Sequence, residues 1–223
     1  MHIASFIDHT ILKPDTTSAE ISKLCAEAVQ YGFASVCVPP YFIAQAKKEV
    51  AGSAVKVATV IGFPFGYSHH LAKVAEVKEA LAAGANELDM VVNIAAVVAG
   101  DRATLEAEIA AITGAIGSSG AALKLILETG ILTNDQIVAC CEIYRKYPVQ
   151  FLKTSTGYAA KGASVEAVRL MRQNLPEQIQ IKASGGIRDF TFAQQLIDAG
   201  ATRLGCSASV AIVQGAPAGE GGY

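Results

Sequence analysis

Tryptophan is absent from this chain, and aromatic residues make up only 7% of it. Charge is scarce too: Asp, Glu, Lys and Arg supply 17% of the 223 residues, against roughly 25% in an ordinary globular domain. What charge there is has little sign bias, with 18 basic side chains against 20 acidic ones. Without a basic excess to neutralise a phosphate backbone or an anionic leaflet, nucleic acid and membrane surfaces are excluded as principal partners. No run approaches the roughly 18 consecutive apolar residues of a membrane span; the longest candidate, residues 90–100, falls well short. The N-terminus, MHIASFIDHT, has no basic stretch followed by an apolar one, so no secretory leader is read there. Cys25, Cys37, Cys140, Cys141 and Cys206 form an odd set with no C-x-x-C spacing. A disulfide framework and a cysteine zinc site are disfavoured, and the cytoplasm is the expected compartment.

What the chain has instead is apolar residues, 52% of the total, arranged in a repeated rhythm. That fraction supports a large core and excludes disorder as the main state. Aliphatic and β-branched runs at 6–11, 35–38, 55–61, 87–93, 122–128, 149–154, 179–184 and 203–207 read as strands. Stretches of helical period lie between most of them, at 18–31, 41–50, 71–83, 102–114, 134–147, 165–174 and 190–199, with a short one at 210–213. Thr17 or Ser18 suits the first N-cap and Asn134 a later one, while Gly32, Gly84 and Gly200 stand where left-handed helix stops belong. Strands alternating with helices imply a parallel sheet, and eight such units fit a single (β/α)8 TIM barrel over residues 1–214. A doubly wound open sheet is the alternative, without a G-x-G-x-x-G after the first strand to favour it. Residues 215–223, GAPAGEGGY, read as a mobile C-terminal tail.

Period-two alternation assigns faces. In ELDMVVN, Leu88, Met90 and Val92 oppose Asp89; in ALKLILE, Leu123, Leu125 and Leu127 oppose Lys124 and Glu128. The same rule turns Lys153 and Lys182 away from Leu152 and Ile181. The barrel lumen would thus receive Asp89, Lys124, Glu128, Lys153 and Lys182, with Asp8 from the first strand. Buried charge is costly unless paired, so such a set calls for a purpose; the competing reading is a one-residue misregister that leaves these groups solvated. Two lysines on neighbouring strands are the sharpest feature. Desolvation and a second ammonium both favour the neutral amine, which attacks carbonyls to form an imine. Asp89 is then a candidate proton shuttle. Gly185 and Gly186 in ASGGIRDF, Gly157 in KTSTGY, and Ser207 with Ser209 before a short helix sit where barrels of this kind hold phosphate; tight turns would equally explain those glycines.

These segments also carry a resemblance. IDHTILKPDTT (7–17), TVIGFPFG (59–66), ELDMVVN (87–93), LKLILETGILT (123–133), FLKTSTGY (151–158), IKASGGIRD (181–189) and ATRLGCS (201–207) resemble the deoxyribose-phosphate aldolase family over essentially the whole chain. The resemblance implies a metal-free, cofactor-free aldolase that splits 2-deoxy-D-ribose 5-phosphate into D-glyceraldehyde 3-phosphate and acetaldehyde. It implies Lys153 as the Schiff-base lysine, Lys182 as the lysine that lowers its pKa, and Asp89 as the acid/base group acting through water. It puts Gly157, Gly185, Gly186, Arg188, Gly205, Cys206 and Ser207 on or beside the phosphate loops, Thr10 at the substrate, and Tyr223 as a terminal tyrosine folding over the site. The expected partners are a small sugar phosphate and aldehydes, with a homodimer through outer helices left open. Three departures stand out: Pro39 in VCVPP where the family has asparagine, and Cys206 and Ala208 in GCSAS where hydroxyls are common. Weaker or altered phosphate affinity is the expected consequence. Another Schiff-base aldolase or a sugar-phosphate isomerase, and a non-catalytic sugar-phosphate-binding barrel, remain as rival readings. Paired lysines with Asp89 argue against the last.

Overall fold

The structure, a computed structural model, describes residues 3–215. Strand and helix alternate along the chain: β1 (Ile7–Thr10), α1 (Ser18–Tyr31), β2 (Ser35–Val38), α2 (Ile43–Glu49), β3 (Lys56–Ile61) and α3 (His70–Ala82). They continue as β4 (Glu87–Val91), α4 (Ile94–Ala99), α5 (Arg102–Ile116), β5 (Ala122–Ile126), α6 (Asn134–Tyr144) and β6 (Phe151–Lys153). The last are α7 (Val165–Asn174), β7 (Gln180–Ser184), α8 (Phe190–Asp198), β8 (Arg203–Cys206) and α9 (Ser209–Gln214). Each strand pairs in parallel with the next, and β8 pairs with β1 to close the barrel. The fold is the (β/α)8 barrel, and closure excludes the open sheet.

One face of each strand is apolar and meets the helices. Ile7, Val36, Val57, Leu88, Leu123, Leu152, Ile181 and Leu204 form one continuous core with helix residues such as Ile21, Val77, Ile109, Ile137, Val168 and Leu196. On the other face, toward the C-terminal strand ends, Cys37, Ala58 and Val60 join Leu12 and Phe63 in a small second cluster. The polar remainder of that inner face forms the site described below.

Helix starts are set by local hydrogen bonds. Thr17 caps α1 in a reciprocal capping box with Glu20. Thr133 caps α6 in the same way with Gln136, so Asn134 is the first helical residue and not the expected cap. Gly32 ends α1 with φ 68, in the left-handed region. Gly84 and Gly200 also have positive φ, but each lies one residue past a right-handed cap, Ala83 or Ala199.

Two differences from the sequence pattern bear on the site. α4 was not anticipated. Asn93 leaves the end of β4 and caps α4 by accepting the Ala96 N–H, and Gly100 stops it, while IAAVVA has no polar face to reveal a helical period. β5 ends at Ile126, not at residue 128, because Glu128 adopts φ 63 and turns the chain out of the ladder. Among the described residues no helix is long and apolar enough to cross a membrane. Apart from Gly215, the segment read as a tail lies outside the described residues, and so does Tyr223.

Candidate active site

The lumen holds a ladder of ion pairs. Lys153, the last residue of β6, places Nζ 2.7 Å from Asp89 Oδ2 on β4. Lys182 on β7 contacts the same oxygen at 2.7 Å and also bonds Asp8 Oδ2 on β1. Lys124 on β5 reaches Asp8 at 3.0 Å, Glu87 at 2.6 Å and Asp89 Oδ1 at 2.9 Å. Arg203, the first residue of β8, holds Asp8 at 2.7 Å and Glu87 at 3.0 Å. Pairing of Asp89 with Lys124 and of Lys153 with Lys182 across adjacent strands is what brings these side chains together.

The four cations differ in how many carboxylates they touch. Lys124 touches three, Lys182 and Arg203 two each, and Lys153 only one. Burial opposes charge on all of them. For Lys124 and Lys182 the adjacent carboxylates overcome that penalty and raise the pKa above the usual lysine value. For Lys153 burial prevails: Asp89 pulls the other way, the Lys182 ammonium adds to the penalty, and the pKa is lowered. Burial alone would raise the pKa of Asp89, but Lys124, Lys153 and Lys182 hold it far below the ordinary carboxylate value. The result is one amine at the C-terminal end of a strand that holds its proton less firmly than an ordinary lysine, with the Lys182 ammonium and the Asp89 carboxylate beside it. Such an amine is a nucleophile for carbonyl carbon.

At the same end of the barrel the loops after β6 and β7 meet. Gly157, Gly185 and Gly186 all have positive φ. A Cβ on Gly185 would stand 3.0 Å from the Cα of Gly162 and 3.4 Å from that of Gly157, so only glycine allows the approach. The Ala163 N–H donates to the Gly185 carbonyl at 3.0 Å and ties the two loops. Gly205 is required for a different reason: a Cβ there would run into Ser184 Oγ and come 3.0 Å from Lys182 Cε. Thr10 closes β1, buried, its hydroxyl donating to the Asp8 carbonyl at 2.8 Å. Arg188 and Ser207 are exposed in the loops after β7 and β8. The Cys206 side chain turns instead into the helix-facing core, which leaves only its backbone to the loop. Pro39 stands between β2 and a short 3₁₀ turn at Pro40–Phe42.

Lys153, Lys182, Asp89, Lys124 and Asp8 therefore converge. Glu128 does not join them in the lumen ladder: past the end of β5, its carboxylate takes the N–H and hydroxyl of Thr156 and links the β5 and β6 loops. The sequence reading passed over Glu87 and Arg203, although each lies two residues before an inward-facing position, Asp89 and Gly205. Ser155 and Ser184 lie two residues beyond Lys153 and Lys182; alternation puts Ser184 on the lysine face, but neither serine is among the expected site residues. Their hydroxyls are buried without a hydrogen-bond partner among the described residues. Cys37 lies in the second apolar cluster, and burial together with Asp89 pushes its thiol up to about 11, so it is no nucleophile at neutral pH. His69 caps α3 through its ring nitrogen, and no cluster of metal-ligating side chains occurs among the described residues.

Comparison with known proteins places the chain among relatives along its full length. The profile of the DeoC/LacD family aldolases matches residues 2–219. A deoxyribose-phosphate aldolase of Brevibacillus brevis is 46% identical over 223 residues, covering 100% of both chains. One from Mannheimia succiniciproducens is 47% identical over 221 residues, covering 99% of this chain and 98% of the relative. The tetrameric deoxyribose phosphate aldolase from Aeropyrum pernix superposes with a TM-score of 0.88 at 30% identity, covering 95% of this chain and 89% of that one.

Proposed function

The chain belongs to the DeoC/LacD family of aldolases and is a carbon–carbon lyase, and on that premise we propose that it reversibly cleaves 2-deoxy-D-ribose 5-phosphate to D-glyceraldehyde 3-phosphate and acetaldehyde through an imine on Lys153. The observation that carries this reading is the unequal pairing of the two lysines: Lys182 is held by Asp8 and Asp89, whereas Lys153 has Asp89 alone.

In this scheme the Lys153 amine adds to the C1 aldehyde of the open-chain sugar, and loss of water leaves a protonated imine. Removal of the C3 hydroxyl proton breaks the C2–C3 bond. The electron pair moves into the imine, glyceraldehyde 3-phosphate departs and an enamine remains. A proton added at C2, followed by hydrolysis, releases acetaldehyde and restores the amine. Asp89, in contact with both lysines, is assigned the proton transfers through a water, with Lys182 keeping the local charge constant. Tyr223, outside the described residues, is assigned a second proton-carrying role at the acetaldehyde carbon. The imine is the electron sink, so the chemistry calls for neither metal nor organic cofactor.

The phosphate is assigned to the backbone of Gly157, Gly185, Gly186, Gly205, Cys206 and Ser207, with Arg188 beside them. Thr10 and the buried hydroxyls of Ser155 and Ser184 are assigned to the sugar. The cytoplasm is the proposed compartment and a homodimer the proposed assembly. The test is product analysis with 2-deoxyribose 5-phosphate. Equal amounts of acetaldehyde and glyceraldehyde 3-phosphate are expected, with deoxyribose lacking phosphate a far poorer substrate. No acetaldehyde from 2-deoxyribose 5-phosphate, with ribose 5-phosphate converted to a ketose phosphate in a parallel assay, would replace the aldolase by an isomerase.

A further inference from the structure

The floor of the barrel carries charge that the scheme above leaves unused. Glu87 opens β4 and Arg203 opens β8, at the end of the barrel away from Lys153. Glu87 is buried and borders a cavity of about 230 Å³ at that end, shared with Lys56, Asn86 and Ser119. Arg203 spans from Glu87 to Asp8, and Lys124 spans from Glu87 to Asp8 and Asp89. The Arg203 guanidinium also lies over the Phe151 ring, 5.1 Å from its centroid, two residues before Lys153 on the same strand.

All the charged and titratable groups facing this interior take part in one balance. β1 contributes Asp8, β2 the protonated Cys37 thiol, β4 Glu87 and Asp89, β5 Lys124, β6 Lys153, β7 Lys182 and β8 Arg203. β3 supplies only Ala58 and Val60 to the inner face, apart from the exposed Lys56 at its start. Glu128 stands beyond β5 on Thr156; it interacts with Lys153 through space but forms no ion pair with the four cations. With Lys153 neutral, Lys124, Lys182 and Arg203 balance Asp8, Glu87 and Asp89 one for one. With Lys153 charged, the ion-paired ladder itself carries one cation more than it has carboxylates.

We propose that Arg203 and Glu87 are positioning residues that set the charge state of Lys153 from the opposite end of the barrel: Arg203 completes the set of permanent cations, so the lumen carboxylates do not draw a proton onto Lys153. The proposal rests on the reading of Lys153 as the imine-forming amine. Removing Arg203 leaves two permanent cations against three carboxylates, and a proton on Lys153 restores the balance. Removing the Glu87 charge does the reverse. A role in packing alone would give no such opposition of sign.

The experiment is the rate of imine formation with acetaldehyde across a pH series, trapped with cyanoborohydride and read by mass at Lys153. The acid limb should move to higher pH in Arg203→Met and to lower pH in Glu87→Gln, each by about one pH unit for a charge acting across the lumen. Arg203→Lys, which keeps the charge, should leave the limb near its original position. The double variant Arg203→Met with Glu87→Gln, which removes one charge of each sign, should restore it. Coincident limbs in all four variants, or shifts of the same sign in Arg203→Met and Glu87→Gln, would overturn the proposal. Absence of any adduct on Lys153 in the unmodified protein would overturn the imine reading itself, and this coupling with it.

Discussion

Lys73 and Glu108 are buried between α3 and α5, outside the barrel, and form a one-to-one pair at 2.6 Å. The spare valences of that pair go to backbone, Lys73 donating to the Val91 carbonyl and Glu108 accepting the Asn93 N–H. Inside the barrel, four cations share three carboxylates, and one cation is left with a single partner. Burial lowers the pKa of Lys73, against the attraction of Glu108, just as it lowers that of Lys153. The comparison separates two things that a lowered lysine pKa could mean. Desolvation alone produces one in a sealed structural clamp that pins the end of β4. A reactive amine requires in addition an unequal ion network and a place at the C-terminal strand ends, where the turns of this fold assemble substrate.

The most severe way to break the lumen side is Lys153→Arg. A guanidinium keeps the ion contact to Asp89 but cannot form an imine, so turnover should fall to background while the melting temperature stays close to its original value. Retained activity would move the imine elsewhere. Lys182→Leu should come next. It removes the ammonium beside Lys153 and leaves Lys153 as the one cation on Asp89 Oδ2, which raises its pKa and should cut activity severely at neutral pH with partial recovery in alkali. It also strips a partner from two buried carboxylates, for which a stability loss of about 3–5 kcal/mol is expected in chemical denaturation. An unchanged pH profile would contradict the role given to Lys182.

Lys73→Met sharpens the contrast from the other side. It leaves Glu108 buried with only a backbone donor, so stability should drop by a similar ~3–5 kcal/mol. The pH dependence of imine formation should not move; a shift would mean that the clamp and the lumen are coupled. The smallest effect expected is that of His9, buried on the helix side of β1 between Ser209 Oγ at 2.9 Å and Glu27 at 2.8 Å. Burial lowers its folded-state pKa despite Glu27, so the unfolded chain takes up the proton first. Its contribution to stability is therefore full above about pH 6.5 and lost as pH falls from there through the folded value. The stability gap between the original protein and His9→Gln should narrow over that window, and a gap independent of pH would show that His9 does not titrate on unfolding.

Eight strands alternating with helical stretches were enough to suggest the barrel, and the aliphatic ladder on one face of the strands fixes which side chains enter it. Lys124, Lys153, Lys182 and Asp89 were legible for the same reason. Glu87 and Arg203 were not, since charged residues at the first position of a strand are commonly solvated and nothing in the local pattern shows that another strand buries them. Glu128 was misplaced because alternation holds only as far as the ladder does, and a left-handed residue ends β5 early. Cys206 faces the helices because it stands two residues beyond Leu204 on the same side of β8. Lys73 and Glu108 are separated by 35 positions on two helices, and no local spacing relates them.

The central claim, that Lys153 is the one lumen lysine which reacts as an amine, is tested most directly by trapping. The protein is incubated with acetaldehyde, reduced with borohydride, digested and mapped by mass spectrometry. The account predicts a two-carbon adduct confined to Lys153 at low occupancy, with Lys124, Lys182 and the buried Lys73 unmodified. An adduct on Lys182 or Lys124 in place of Lys153, or none on any of the three lumen lysines, would contradict it.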